Sequence, residues 1–223
     1  FETVKELLLV KGVTEDLLSE PMSDGSVLLN DLLTVYTPQT QTTTSSSSTT
    51  VDIQSASRST MQNLLGSVLS SSDIDAIISY RSRNVFKSVA EIILVPGLDR
   101  SKIEQIYSKL TLSSATVKSG LLNVNTASVD ALAVQPGMDQ NIAQAIIDYR
   151  KKQGAFADVG GLLAIKEVTN DAFVSAAPYF TVKSTVFKII STGSYEKTNA
   201  SATITCIVEI QSSGEAKIKY WQE

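Results

Sequence analysis

The chain contains no histidine and only one cysteine, Cys206, among its 223 residues. A Ser/His/Asp triad, a Cys/His dyad and a histidine-bearing zinc site are therefore excluded, and no disulfide can form within the chain. Paired carboxylates remain as acid/base groups, but no Asp or Glu pair stands out at a convincing spacing. We therefore expect a protein that is not an enzyme.

Long apolar runs and an excess of positive charge are also lacking. Hydrophobic residues make up 43% of the chain and charged residues 19%, and no apolar run approaches the roughly 20 residues of a membrane-spanning helix. The net charge is −4 and the pI is about 5.0. An acidic chain has no general attraction to phosphate backbones, so nucleic acid is not the favoured partner.

Residues 37–50 contain only Thr, Ser and Gln with a single proline. Such a segment cannot offset its ordering entropy by burying apolar surface. We predict a Ser/Thr-rich linker at 37–50.

An internal repeat of about 70 residues organises most of the chain. A Phe-x-x-Val block begins at Phe1, Phe86 and Phe156, and in each copy an apolar run, a turn and a further helical stretch follow it. A second element matches between Val51–Ser57 and Leu122–Ser128, and between Ile77–Arg81 and Ile146–Arg150. The pattern predicts helix-hairpin-helix units: whole units at 51–117 and 118–183, and the second half of a unit at 1–36. Its first half is expected upstream of Phe1.

Local signals refine the last unit. Asn125 or Thr126 is expected to cap a helix from Ala127, and a second helix is expected over about 140–152. The units close on similar β-branched tails, which predict short strands that connect or pair units: Leu32–Val35, Lys109–Leu112 and Tyr179–Val182.

Residues 184–223 change character to β-branched and partly alternating runs separated by turns. They predict a three-stranded antiparallel meander that needs a covering element. Ile204, Cys206, Val208, Ile218 and Tyr220 are expected on the covered face, and Thr203, Thr205, Lys217 and Lys219 on the solvated face. The predicted fold class is therefore α+β, mostly α, with tandem helix-hairpin-helix or SAM-like units before the meander.

The hairpins raise an alternative, nucleic-acid binding, because glycine-rich hairpins let backbone amides approach a phosphate. Here Asp99 and Asp139 stand where a second glycine is wanted, and a carboxylate repels phosphate, so structural hairpins are favoured. Cations after the repeated Tyr-Arg pairs are also expected at helix C-termini for the macrodipole alone. The alternative nucleic-acid site comprises Gly97, Gly137, Arg81, Arg83, Arg150, Lys151 and Lys152.

Other candidate chemistry is weak. Two sets of carboxylates could supply oxygen ligands to calcium, but neither forms a dense Asp-rich loop, and solvated helix-start carboxylates are favoured: Asp73, Asp75 and Asp99, or Asp130, Asp139 and Asp148. Cys206 and Trp221 are expected in the core of the sheet.

The segment Leu122-Asn123-Val124-Asn125-Thr126-Ala127-Ser128, the Phe-x-x-Val-x-x-Leu-Leu-x-Val block and the Tyr-Phe-Thr-Val ending resemble general secretion pathway protein K. That family comprises the large minor pseudopilins of type II secretion, and the resemblance covers nearly the whole chain. It implies helical units that interrupt a pilin-like sheet, which the C-terminal strands complete. The hairpins are also similar to those of competence-type DNA receptors, which keeps a DNA-binding or DNA-uptake protein as the alternative.

The resemblance to the pseudopilins implies a non-catalytic role at the pseudopilus tip. Expected partners are the other minor pseudopilins and secreted substrate proteins. The chain would be a periplasmic part of a protein anchored in the inner membrane by an N-terminal helix absent here. Calcium is reported for members of that family, but no ligand position can be matched here, and no other cofactor is expected.

Overall fold

The computed structural model describes residues 4–19, 28–29, 33, 35, 49–113, 120–195, 200–211 and 213–222. The chain is α+β and divides into two compact units, one made of residues 1–39 with 183–223 and the other of residues 40–182. The predicted linker at 37–50 lies outside the described residues except for Thr49 and Thr50.

Residues 51–111 form the first repeat of the 40–182 unit. Its elements in chain order are β1 (Val51–Asp52), α2 (Arg58–Leu65), α3 (Ser71–Arg81), the 3-10 segment η2 (Val89–Leu94), α4 (Arg100–Ile106), η3 (Tyr107–Lys109) and β2 (Leu110–Thr111). Polar side chains cap the helices. Ser57 accepts from the amide of Thr60, and Ser70 forms a reciprocal capping box with Asp73.

Residues 122–181 repeat the same order. The elements are β3 (Leu122–Asn123), α5 (Val129–Ala133), α6 (Gln140–Gln153), η4 (Val159–Ala164), α7 (Asn170–Ala176), η5 (Ala177–Tyr179) and β4 (Phe180–Thr181). Ser128, not Asn125 or Thr126, is the N-cap of α5, so the helix begins two residues later than predicted. Asn125 is used elsewhere, as described below. The helix predicted over 140–152 spans 140–153.

A short parallel strand pair closes each repeat on itself. Val51 pairs with Leu110 at one end of the first repeat, and Leu122 pairs with Phe180 in the second. The prediction that the two described tails connect or pair separate units is therefore wrong. Each tail returns to the start of its own repeat, because the first and last residues are both β-branched or apolar and bury together. The third tail, Leu32–Val35, lies partly outside the described residues.

The same side-chain amide fixes each repeat internally. Gln54 Oε1 accepts from the amide of Phe86 at 3.0 Å, and Asn125 Oδ1 accepts from the amide of Phe156 at 2.8 Å. Both phenylalanines are buried, Phe86 to 1% exposure, and a buried phenylalanine contributes about 1.5–3 kcal/mol. The amide thus holds the start of the Phe-x-x-Val block against the core. The block itself is a 3-10 turn in both repeats, not an α-helix.

The two repeats pack through their second halves in a reciprocal way. Helix α4 of the first repeat contacts η4 of the second, and α7 of the second contacts η2 of the first. The Tyr107 and Phe173 rings meet edge to face at 5.5 Å. One core of apolar side chains runs through both repeats, so the 40–182 unit is stabilised as a pair.

The other unit contains the C-terminal sheet and the N-terminal segment with η1 (Val4–Leu9) and α1 (Glu15–Ser19). Strands β5 (Val186–Tyr195), β6 (Ala200–Ile210) and β7 (Ala216–Gln222) form an antiparallel sheet with β6 in the centre. The predicted meander is confirmed. A register shift at Ile207/Val208 interrupts the β6–β7 pairing.

Candidate functional sites

The repeated Tyr-Arg pair at the end of the long helices has a structural use in both repeats. Arg150 donates to the carbonyls of Val124 at 2.7 Å and Ala127 at 2.8 Å, which lie in the loop before α5. Burial lowers the pKa of Arg150, but a guanidinium remains charged at any pH that the fold tolerates. Its two forked donors therefore tie the C-terminal end of α6 to the start of its own repeat.

Arg81 makes the equivalent contacts in the first repeat. It donates to the carbonyls of Ile53 at 3.2 Å and Ala56 at 2.7 Å. The preceding tyrosines are equivalent too, because the rings of Tyr80 and Phe86 lie 5.3 Å apart. The Tyr149 and Phe156 rings stack at 5.1 Å in the second repeat. Arg81 and Arg150 thus spend their donors inside the repeats.

The remaining cations of the predicted basic stripe are exposed. Arg83 follows the C-terminus of α3, and Lys151 and Lys152 lie in the last turn of α6. Cations in this position interact favourably with the helix dipole. They are the part of the predicted nucleic-acid site that a phosphate could reach.

The two glycine turns of the predicted site are not equivalent. Gly137, with φ of +75°, lies between α5 and α6, and a Cβ there would lie 2.9 Å from the Cβ of Ser175 on α7. Gly97, with φ of +81°, lies between η2 and α4 and has no neighbour within 4 Å of a Cβ. The Gly137 turn therefore packs against a helix of its own repeat, whereas the Gly97 turn faces open space.

An arginine that the sequence did not single out covers one further hairpin. Arg100, the first residue of α4, donates to the carbonyls of Leu163 at 2.6 Å, Ile165 at 2.9 Å and Val168 at 2.5 Å. It also donates to Asn170 Oδ1 at 3.2 Å, and Asn170 is the equivalent first residue of α7. No spacing in the sequence signals this role, because the acceptors are backbone atoms of the other repeat.

The carboxylates considered for calcium have separate uses. Lys102 lies 2.8 Å from Asp73 and, together with the Ser70 hydroxyl, lowers the pKa of Asp73 to about 2. Arg58 pairs with Asp75 at 2.7 Å, while Asp99 and Asp139 cap α4 and α6. Within the described part of the chain, no three acidic or cysteine side chains converge on one point.

One buried carboxylate is poorly matched to its surroundings. Asp158 precedes η4, and its Oδ1 is buried without a hydrogen-bond partner. Burial raises its pKa, although the amides of Gly160 and Gly161 act in the opposite direction. Tyr107 of the other repeat lies close to it, and burial and the Asp158 charge raise the pKa of that tyrosine. This carboxylate therefore lies where the two repeats meet.

The C-terminal sheet has one mainly apolar face. In the antiparallel register, Phe187 is opposite Val208 and Ile189 is opposite Cys206, while Trp221 is opposite Cys206 on the other side. Directly opposed side chains project to the same face. Its apolar members are Phe187, Ile189, Ile204, Cys206, Val208, Ile218 and Trp221. We call this set the apolar sheet face.

Much of that face is accessible to solvent. Ile189 is 49% exposed, Ile218 is 58% exposed and Trp221 is 51% exposed, whereas Cys206 is buried. The predicted burial of Ile218 and Tyr220 on one covered face is wrong, and Trp221 is likewise not in a core. The register shift puts Tyr220 opposite Ile207 on the other face, and β7 is exposed along its whole length.

The opposite face carries polar pairs. Thr192 and Thr203 hydroxyls lie 2.9 Å apart, and Lys219 lies 3.0 Å from Glu209. Ile190, adjacent to Ile189 in β5, projects to this face. The contrast between the two faces is typical of a sheet that uses one face for burial.

Comparison with known proteins adds a motif and distant relatives. Residues 117–181 match the helix-hairpin-helix motif, which coincides with the second repeat. The chain is 26% identical over 113 residues to endonuclease/exonuclease/phosphatase family domain-containing protein 1 of Xenopus laevis, an alignment that covers 42% of this chain. It is 27% identical over 127 residues to the Mus musculus protein of the same name, covering 44% of this chain.

These alignments extend over 20% and 22% of the relatives' own length, so the chain spans about a fifth of the curated relatives it matches. No helix in the described ranges is long and apolar enough to cross a membrane. The helix-hairpin-helix character of the second repeat is therefore the firm part of the comparison.

Proposed function

We propose that this chain is a non-catalytic protein-binding part of a minor pseudopilin of type II secretion, resembling general secretion pathway protein K. The observation that carries the proposal is the apolar sheet face at the end of the helical repeats. An exposed apolar patch with a polar reverse side is the usual character of a protein-binding surface. The order of elements, helical units followed by an antiparallel meander, also agrees with that family.

The internal use of the hairpins supports protein binding over nucleic-acid binding. Arg81 and Arg150 bond to backbone carbonyls, and the Gly137 turn packs on α7. Donors used in this way are not available to a phosphate. In this proposal the helical repeats are a scaffold, and the partners are the other minor pseudopilins and secreted substrates. The setting is the periplasmic part of a protein anchored in the inner membrane.

Two adjacent isoleucines test the proposal. Ile189 lies on the apolar sheet face and Ile190 on the opposite face, and they are 49% and 60% exposed. Ile189→Asp should weaken binding to the purified minor pseudopilins of the same secretion system at least about tenfold, since a charge is placed in a desolvated contact. Ile190→Asp is the matched control and should bind like the wild type. Equal binding by both variants, or no binding by the wild type, would contradict the proposal.

The match of residues 117–181 to the helix-hairpin-helix motif favours a second candidate, a DNA-binding or DNA-uptake protein. It is tested by titrating duplex and single-stranded DNA at low salt. The matched variant replaces Arg83, Lys151 and Lys152 with Ala and leaves the structural Arg81 and Arg150 intact. Binding that falls steeply with salt and is lost in this variant would establish the DNA candidate, whereas no binding at low salt would reject it.

A further inference from the structure

The N-terminal segment is a third copy of the half-repeat through which the two repeats pair. Val4–Leu9 is equivalent to Val89–Leu94 and to Val159–Ala164, and all three are 3-10 turns. A hairpin follows in each copy, then a helix that begins at Glu15, Arg100 or Asn170. We call residues 4–19 the N-terminal half-repeat.

In the two paired copies, the positions at the hairpin are buried. Ile93 and Leu163 are 6% and 4% exposed, and Val95 and Ile165 are 2% and 4% exposed. These residues lie in and beside η2 and η4, which are contacted by the helix of the other repeat. The pairing is reciprocal, because each copy gives both a helix and a hairpin to the other.

In the N-terminal half-repeat, the equivalent positions are exposed. Leu8 is 39% exposed and Val10 is 44% exposed, although Leu18, the counterpart of buried Ile103 and Phe173, is only 6% exposed. The segment therefore buries the residue of its own helix that packs inward while leaving its pairing surface open. An apolar surface whose two homologous copies are buried by a homologous mate is expected to bind such a mate as well.

The charges of this surface are complementary to those of a second copy. In the paired repeats, the first helix residue Arg100 reaches the carbonyl of Ile165 at 2.9 Å in the hairpin of its mate. Glu15 takes the place of Arg100 in the N-terminal half-repeat, and Lys11 takes the hairpin place of Lys166. In a two-fold pairing of two chains, Glu15 of each chain would lie beside Lys11 of the other. We propose that the N-terminal half-repeat binds the same segment of a second copy of this chain.

Sedimentation velocity of the full chain over a wide concentration range tests the pairing. The wild type should form a concentration-dependent dimer. Leu8→Glu should weaken the dimer at least about tenfold, because it buries a charge in the contact. Leu9→Glu is the matched control. Leu9 is 84% exposed, and its counterpart Leu94 remains 42% exposed in the paired repeats, so this change should leave the dimer intact.

A charge exchange tests the register without relying on burial. K11E and E15K each replace two attractive contacts with two repulsive ones and should each weaken the homodimer roughly tenfold. A mixture of the two variants should dimerise like the wild type, because both contacts become attractive again. A wild type that stays monomeric, a dimer that survives Leu8→Glu, or a mixture that dimerises no better than its components would overturn the proposal. A dimer lost in Ile189→Asp but kept in Leu8→Glu would assign self-association to the sheet instead.

Discussion

Replacing Arg150 with Ala should destabilise the second repeat by roughly 2–3 kcal/mol. The guanidinium donates to two carbonyls at 2.7 and 2.8 Å, and a hydrogen bond to a charged group contributes about 1.5–3 kcal/mol. The side chain is only partly buried, so water replaces part of the loss and the lower part of the summed range applies. Lys at this position provides one compact charge that cannot reach both carbonyls, so Arg150→Lys should recover about half of the loss.

Urea denaturation followed by far-UV circular dichroism measures this effect, because most helices lie in the 40–182 unit. The single tryptophan, Trp221, belongs to the other unit and does not report on it. Lys151→Ala is the matched control in the next position and should change the free energy of unfolding by less than about 0.5 kcal/mol. If Arg150→Ala costs no more than this control, the arginine does not hold the repeat together, and its place in the predicted basic stripe is restored.

Three further predictions concern stability. Gly137→Ala should cost about 1–3 kcal/mol more than Gly97→Ala, because both turns have positive φ but only Gly137 packs on α7; urea midpoints of the two variants decide this. Lys102 holds the pKa of Asp73 at about 2, below its ordinary 3.8, so this carboxylate stabilises above pH 4 and its contribution is lost as the pH falls from about 4 to 2; Asp73→Asn should flatten that part of the pH–stability curve. The pKa of Asp158 is raised, so the folded state gains relative stability as the pH falls through the range above 3.8; Asp158→Asn should be more stable than the wild type at neutral pH and should lose this dependence.

The repeat was predictable because it is carried by side chains that perform the same task twice. The Phe-x-x-Val block, the Tyr-Arg pair and the Asn or Gln before the first helix all match along the chain. Their conserved order implies a repeated set of contacts, and the structure provides them: a ring pair, a forked arginine and an amide that accepts from a phenylalanine. Periodicity of this kind indicates structural roles before it indicates function.

The details that could not be predicted depend on backbone atoms and on distant parts of the chain. Asn125 is a good capping residue locally, but its side chain is taken by the Phe156 amide, so Ser128 caps α5 instead. Arg100 binds carbonyls more than 60 residues away, and no side-chain pattern marks a carbonyl. For β7, alternation predicted one buried face. The register shift beside Ile207 turned Tyr220 to the opposite face from Ile218.

The hairpins explain how one motif can serve either as a nucleic-acid contact or as a packing device. A phosphate-binding hairpin needs backbone amides that are open and a surrounding positive potential. Here the Gly137 turn is covered by α7, the hairpin at 165–168 is held by Arg100, and the open Gly97 turn is followed by Asp99. Once such turns are covered by neighbouring repeats, their apolar residues contribute to a shared core. The same argument makes the uncovered N-terminal half-repeat the place where a further copy would add to the assembly.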